Sequence, residues 1–200
     1  MLLSVIILSF LVAELRGGRI RNLARADFHR LEWVLAAAFI HVGLQVAAGR
    51  GWITSAWWTG LLNVLGHFLA LYAVVPNLRL PGMPLVTVGL LLNLAVIAAN
   101  GGRMPVSVAA LEAVGLGRLV PVLASGGVPT HTLMDESTRL AFLGDVFRLP
   151  PPFWRPCAFS PGDAVLAVGI FVLVQALMGA GRLRNRRSKD PNPGLRPGEG

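Results

Sequence analysis

Two aspartates pose the chemical question in this chain. Asp145 follows Gly144 in a polar stretch, and Asp163 closes Ser160-Pro161-Gly162-Asp163 at the entry to an apolar run. Two carboxylates a few ångströms apart cannot both ionise comfortably, so they share a proton. One then serves as base on water and the other as acid toward a carbonyl oxygen. Placed at a membrane face, such a pair makes peptide hydrolysis feasible. Each aspartate also has a structural role open to it. Ser160 suits an N-cap, Pro161 the first helical position and Asp163 the third, where it answers free backbone N–H groups and the helix dipole. Asp145 reads equally as a turn residue, and Asp135 is a third candidate carboxylate.

A second set of polar residues lies inside apolar runs. His41 and Gln45 are four apart, as are Asn63 and His67, and Asn93 sits midway along a later run. Spacing of four puts each pair on one helix face, and intramembrane polar groups normally face partners within a bundle. Interhelical hydrogen bonding is the plain expectation. The alternatives are a proton relay, or a metal or b-type haem held by His41 and His67 as imidazoles on facing helices. No carboxylate or thiol joins them at that depth, so no metal and no cofactor are expected. Serine catalysis is unattractive: Ser125, Ser137 and His131 lie in the polar stretch without a Gly-x-Ser-x-Gly setting. Phosphate-loop and dinucleotide signatures are absent.

The elements that must position these groups are apolar. Of 200 residues, 54% are hydrophobic and 14% charged, against about 25% charged in a soluble domain, and mean hydropathy is +0.63. Five runs, near 2–13, 31–48, 59–75, 84–99 and 163–180, approach the ~20 residues that cross a hydrocarbon core. The first is short, and lacking positive charge before Arg16 it reads as a retained helix rather than a secretory signal. The net charge of +8 would suggest nucleic acid in a soluble protein. Here the arginines flank apolar runs, so topology and lipid headgroups explain them and no nucleic-acid partner is expected. Arg16, Arg19, Arg21, Arg25 and Arg30 follow the first run, and Arg182, Arg184, Arg186, Arg187 and Lys189 follow the last. By the positive-inside rule both clusters are cytoplasmic, so the N-terminus faces out and the C-terminus in. Trp52, Trp57 and Trp58 suit an interfacial belt on the outer side.

The fold expected is an all-α polytopic protein of the cell (inner) membrane, with about five transmembrane helices and a partly ordered extracytoplasmic cap over 100–162. Residues 1–181 form one membrane-embedded domain, and 182–200 a basic, then Pro/Gly-rich tail without fixed structure. Within the cap, Pro105 to Val114 predicts a short helix ended by Gly115 and Gly117, with Val108, Leu111 and Val114 lying on the bilayer. Residues 128–149 predict short extended segments. Pro150-Pro151-Pro152 with Phe153-Trp154 predicts an interfacial connector that returns the chain. Cys157 is the single cysteine, so an intrachain disulfide is impossible.

Five stretches together resemble one known family. They are Leu15-Arg16-Gly17-Gly18-Arg19, Asn77-Leu78-Arg79-Leu80-Pro81-Gly82, Asn100-Gly101-Gly102-Arg103-Met104-Pro105-Val106-Ser107, Thr138-Arg139-Leu140 with Phe142-Leu143-Gly144-Asp145, and Ser160-Pro161-Gly162-Asp163. The family is the bacterial membrane family called domain of unknown function 5317, and the resemblance runs to about Leu177. It implies no activity. A shorter stretch, Asp145-Val146-Phe147 followed by an aromatic/Pro segment and Ala158 to Asp163, is similar to the C-terminal part of lipoprotein signal peptidase. That similarity implies a catalytic dyad of Asp145 and Asp163, with Asn100-Gly101 in the place of its outer Asn-x-Gly motif. Its Asn-x-x-Asp-Arg motif is absent here.

Two functions therefore stay open. One is a non-enzymatic binding or accessory module, in which the cap engages a lipid, a cofactor or a membrane protein partner. The other is a membrane-face aspartic peptidase-like hydrolase using Asp145 and Asp163. Asn100, Gly101, Gly102, Arg103 and Arg139 are the candidate ligand-binding residues of the cap.

Overall fold

The structure is a computed structural model that describes residues 1–25, 28–52, 57–150 and 156–179. Most of it is helical. The long helices are α1 (Leu2–Leu15), α2 (Leu31–Gly49), α3 (Trp57–Val74), α4 (Met83–Ala99) and α7 (Pro161–Met178), and two short ones, α5 (Val108–Ala113) and α6 (Val120–Ala124), lie in the cap. Among the described residues, three helical stretches are long and apolar enough to cross a membrane: Leu31–Gly49, Trp57–Asn77 and Pro161–Met178. The helices α1 and α4 are apolar but shorter. Exposed Leu, Val and Phe side chains cover the outside of the bundle, with Phe39 80% and Leu35 63% accessible on α2. An apolar exterior of this kind is unfavourable in water and natural in lipid.

Helices α4 and α7 form the central pair, and glycines set its closeness. Gly82 meets the backbone of Gly169, and Gly89 that of Gly162 and Leu166. Both glycine pairs are seven residues apart, so they lie along one stripe of each helix and fix an antiparallel register. Small residues of this kind let membrane helices approach to backbone contact, where dispersion and packing replace the missing hydrophobic drive. Around the pair, Val74, Met83, Val86 and Leu173 form one buried cluster, and Ala13, Val174 and Met178 another. The helix α1 runs parallel to α7: Gln175 Nε2 donates to Ser9 O at 2.8 Å, and Arg16 donates to Gln175 Oε1 at 3.1 Å. Beyond α1 the Arg19 amide and the Asn22 side chain both donate to Met178 O, each at 2.9 Å, capping the end of α7. At this same end Asn77, 5% exposed, clamps the α3–α4 turn. Its side chain donates to His29 O and Ala73 O and accepts from the His29 amide, at 2.8, 2.8 and 2.9 Å.

The cap sits at the opposite end. The helical reading holds for the bundle, and the short extended segments expected over 128–149 appear as His131–Leu133 and Phe147–Leu149, two of four three-residue strands among the described residues of the cap. The strand β1 (Met104–Val106) pairs parallel with β2 (His131–Leu133), and β3 (Phe147–Leu149) pairs antiparallel with β4 (Cys157–Phe159). Strands this short show no alternation from which their pairing could be read. Pro105 and Val106 belong to β1, so the short helix begins later, at Val108, capped by the Ser107 hydroxyl. Its apolar face does not lie on the bilayer. Leu111 and Val114 are 4% and 2% exposed, and Leu111 packs with Val106 and Leu123 in a core of the cap's own. Met104, Val96 and Ile97 join that cap to the bundle. The connector at 151–155 and the tail from 180 onward lie outside the described residues.

Candidate functional site

Strand pairing brings distant chemistry to the mouth of the bundle. In the β1–β2 register Met104 is opposite His131, and on its other side β1 makes a bridge from Val106 to Asp145. The Asp145 amide donates to Pro105 O at 2.9 Å, and Asp145 O accepts from Ser107 at 3.2 Å. Asp145 is thus fixed by strand pairing. The β3–β4 hairpin, registering Phe147 with Phe159, then turns the chain back to Ser160 and the start of α7. There the anticipated cap forms: Ser160 Oγ accepts from the Asp163 amide at 2.9 Å, and Asp163 Oδ2 accepts from the Ser160 amide at 3.3 Å. Asn93 on α4 ties into it, donating to Asp163 Oδ1 at 2.8 Å and accepting from Ser160 Oγ at 2.9 Å.

Asp145 and Asp163 line one cavity of about 150 Å³, room for several waters at ~30 Å³ each. Its wall also includes His41, Gln45, Asn63, His67 and Asn93 from the bundle, Thr130 and His131 from the cap, and Ile97 and Met104 as apolar floor. The polar residues of the apolar helices and the acidic pair, separate in the sequence, meet here. The His41 and His67 rings contact edge to face, with centroids 4.9 Å apart. His67 Nδ1 lies 2.9 Å from Asn63 O. A carbonyl only accepts, so Nδ1 carries the proton and Nε2 of the neutral ring is an acceptor. Gln45 Nε2 donates to Thr130 Oγ1 at 2.9 Å, and Thr130 Oγ1 lies 2.8 Å from His131 Nδ1. His131 Nε2 in turn faces Asp145 Oδ2 at 3.7 Å. That is ion-pair range but too long for a hydrogen bond.

Asp145 is the electrostatic centre. It is 6% exposed, and its Oδ1 is buried with no hydrogen-bond partner among the described residues. Burial, then the nearby charge of Asp163, pushes its pKa up to about 7, with the amino terminus opposing. The His131 side chain keeps 37% of its surface accessible, yet accessible surface on a cavity wall is not bulk water. Burial among the surrounding atoms lowers its pKa, against the pull of Asp163. Asn63, 1% exposed, donates to Gly102 O at 2.8 Å, which leaves its Oδ1 buried without a partner.

A family model matches residues 25–175. The chain belongs to the DUF5317 family. This is a family of unknown function, and its model spans the bundle from before α2 to near the end of α7. The DUF5317 chain is also similar to an uncharacterised protein of Thermotoga maritima, 24% identical over 172 residues that cover 86% of this chain and 89% of that one. No solved structure matches.

The other candidates of the DUF5317 cap stand apart from the cavity wall. Asn100 is a clamp: its side chain donates to Val96 O at 2.7 Å and Arg139 O at 2.8 Å, and accepts from the Arg139 amide at 2.9 Å. This grip sits beside Leu140, held at φ 51°, a left-handed conformation that costs a non-glycine residue about 1–3 kcal/mol. Arg139 itself is exposed. The Gly102 amide donates to Ile97 O at 2.9 Å, so it is not a free donor. Gly101 and Gly102 instead pack backbone to backbone against Gly60 of α3. Asp135 folds an exposed turn, accepting from Ser137 at 2.9 and 2.7 Å, and those bonds hold its carboxyl below the ordinary range. His131 and Thr130 were not joined to the acidic pair from sequence. His131 enters the site only through pairing with Met104, which no local pattern encodes. No group of three or more His, Cys, Asp or Glu among the described residues is arranged to hold a metal ion.

Proposed function

We propose that this DUF5317 protein is a five-span membrane protein that works as a binding or accessory module, with the cavity under its outer cap as the ligand site. One observation carries the reading: Asp145, 6% exposed, keeps a carboxylate oxygen without a partner on a cavity of about 150 Å³. An unpaired buried polar group costs about 1–3 kcal/mol, more when charged, and a ligand that supplies the missing donor removes that cost.

The topology follows from the two ends of the bundle. Arg16, Arg19 and Arg21 lie by the end of α7, as does the turn carrying Arg79, and the cap lies at the other end. Basic residues gathered at one end favour that end as cytoplasmic. The helices α1 and α4, about 21 and 26 Å at 1.5 Å per residue, cross as partners of α7, with local thinning of the bilayer absorbing the mismatch.

Thermal unfolding of the purified protein, against a panel of small cations, anions and neutral amides, tests the site. A ligand at 100 times its Kd adds about 2.7 kcal/mol, or roughly 5–11 °C in Tm for a chain of this size. Ile97→Phe, which fills the floor, should abolish the shift. A panel without a responder, or equal shifts in the variant, would defeat the reading.

A second reading rests on the raised pKa of Asp145. With Asp145 as acid and Asp163 as base on water, the pair would hydrolyse an amide at the membrane face. Its test is cleavage of membrane-anchored peptides followed by mass spectrometry. Asp145→Asn and Asp163→Asn should each abolish it, and the wild-type rate should fall as pH rises through about 7.

A further inference from the structure

We infer that the cavity is a receptor for a primary ammonium group on a short alkyl stem. This rests on the binding reading above and names the ligand class. Among the described residues, the wall presents buried acceptors that no protein donor satisfies. Asn63 Oδ1 and Asp145 Oδ1 are buried without partners, and the Asn63 amide orientation is settled because its Nδ2 faces the Gly102 carbonyl at 2.8 Å. His67 adds a third acceptor through Nε2, since its Nδ1 proton is given to Asn63 O. The Asn93 amide is given to Asp163 at 2.8 Å. Two orphaned buried oxygens and the His67 Nε2 acceptor, with the Asp163 carboxylate on the same wall, call for a compact cation with several N–H donors. An ammonium carries three.

Size and polarity refine the class. A cavity of about 150 Å³ is larger than a bare monovalent ion fills, and Ile97 and Met104 on its floor are both almost fully buried apolar side chains. They suit the methylenes of an aminoalkyl stem. A quaternary ammonium matches the charge but offers no N–H to Asn63 or Asp145. It would leave both oxygens orphaned, and a site built around buried acceptors discriminates strongly against such an analogue. A lipid amine headgroup and a free amine present the same chemistry.

The experiment is thermal unfolding of the full chain in detergent with ethanolamine, choline, guanidinium or potassium chloride at equal ionic strength. Ethanolamine should raise Tm and the other three should not. Asp145→Asn, which keeps the side-chain volume, should weaken the ethanolamine response at least about tenfold, the loss of one charge-assisted hydrogen bond. Reconstitution into bilayer discs separates the sources. A response to added ethanolamine that is suppressed in phosphatidylethanolamine discs relative to phosphatidylcholine discs assigns the site to the headgroup, and equal responses assign it to a free amine. Choline, guanidinium or potassium matching ethanolamine would overturn the ammonium assignment while leaving a binding site in place. An unchanged response in Asp145→Asn would overturn the assignment to this cavity. Silence toward all four, with a responder elsewhere in the wider panel, would also overturn it. Silence throughout both panels would sink the binding reading itself.

Discussion

Adding one methyl group to Gly89 should separate the central helix pair. A Cβ built there lies 2.6 Å from Gly162 O and 2.7 Å from both Leu166 N and Leu166 Cβ. Two of those atoms are backbone, so no side chain can rotate away, and α4 or α7 has to shift. Overpacking of a tight contact costs about 1–3 kcal/mol, and backbone neighbours place this case toward the upper end. The alanine returns about 0.5–1 kcal/mol through helix propensity, leaving a net loss of about 2 kcal/mol. For a chain of 150–250 residues that is a fall in Tm of roughly 4–8 °C. Gly43 on α2 supplies the control, since nothing lies within 4 Å of its added Cβ. Gly43→Ala gains the propensity without the clash and should hold or raise Tm. Tryptophan fluorescence of the two variants during heating in one detergent reads the difference. Gly89→Ala unfolding at or above the Gly43→Ala temperature would refute the backbone-contact account of the α4–α7 pair.

Three further predictions are independent of that contact. Asn77→Ala should cost about 2–4 kcal/mol, because three hydrogen bonds are lost at about 0.5–1.5 each, and hydrogen exchange at the His29 amide should accelerate first. Asp145 binds its proton up to about 7 when folded, against 3.8 for an unperturbed aspartate. Between those pH values the folded state holds a proton that the unfolded state has released, so stability falls as pH rises through the window and levels off above it. Tm of the wild type minus that of Asp145→Asn, followed from pH 4 to 8, should show that decline, and a flat difference would contradict it. In a Cys157→Ser background, Ser125→Cys in the cap should react with an impermeant thiol reagent from outside intact cells, and Arg79→Cys only after permeabilisation. Labelling of both from one side would refute the proposed topology.

Much of the bundle was legible because its signals are local. Runs of apolar residues, broken at Pro76, Gly82 and Asn100, place the long helices within about two residues of their observed ends. Ser160-Pro161-Gly162-Asp163 encodes a complete helix start, and the four-residue spacings of His41/Gln45 and Asn63/His67 mark the faces that line the cavity. What was hidden is non-local. Met104 and His131 pair across 27 residues through strands of three, and Asp145, central in the tight turn from Gly144 to Val146, is also held by Val106 and Pro105. Leu111 and Val114 show the opposite error. An apolar helix face looks the same whether it meets lipid or a small protein core, and only the β-pairing that builds the cap decides which.

The stitching of α1 to α7 has a consequence for how the chain is made. Ser9, Arg16, Arg19 and Asn22 all find their partners at Gln175 or Met178, residues synthesised more than 150 positions later. The helix α1 therefore waits for these partners until α7 has been made. A nascent chain stalled before Gln175 should leave α1 without these partners and its facing side chains open to capture.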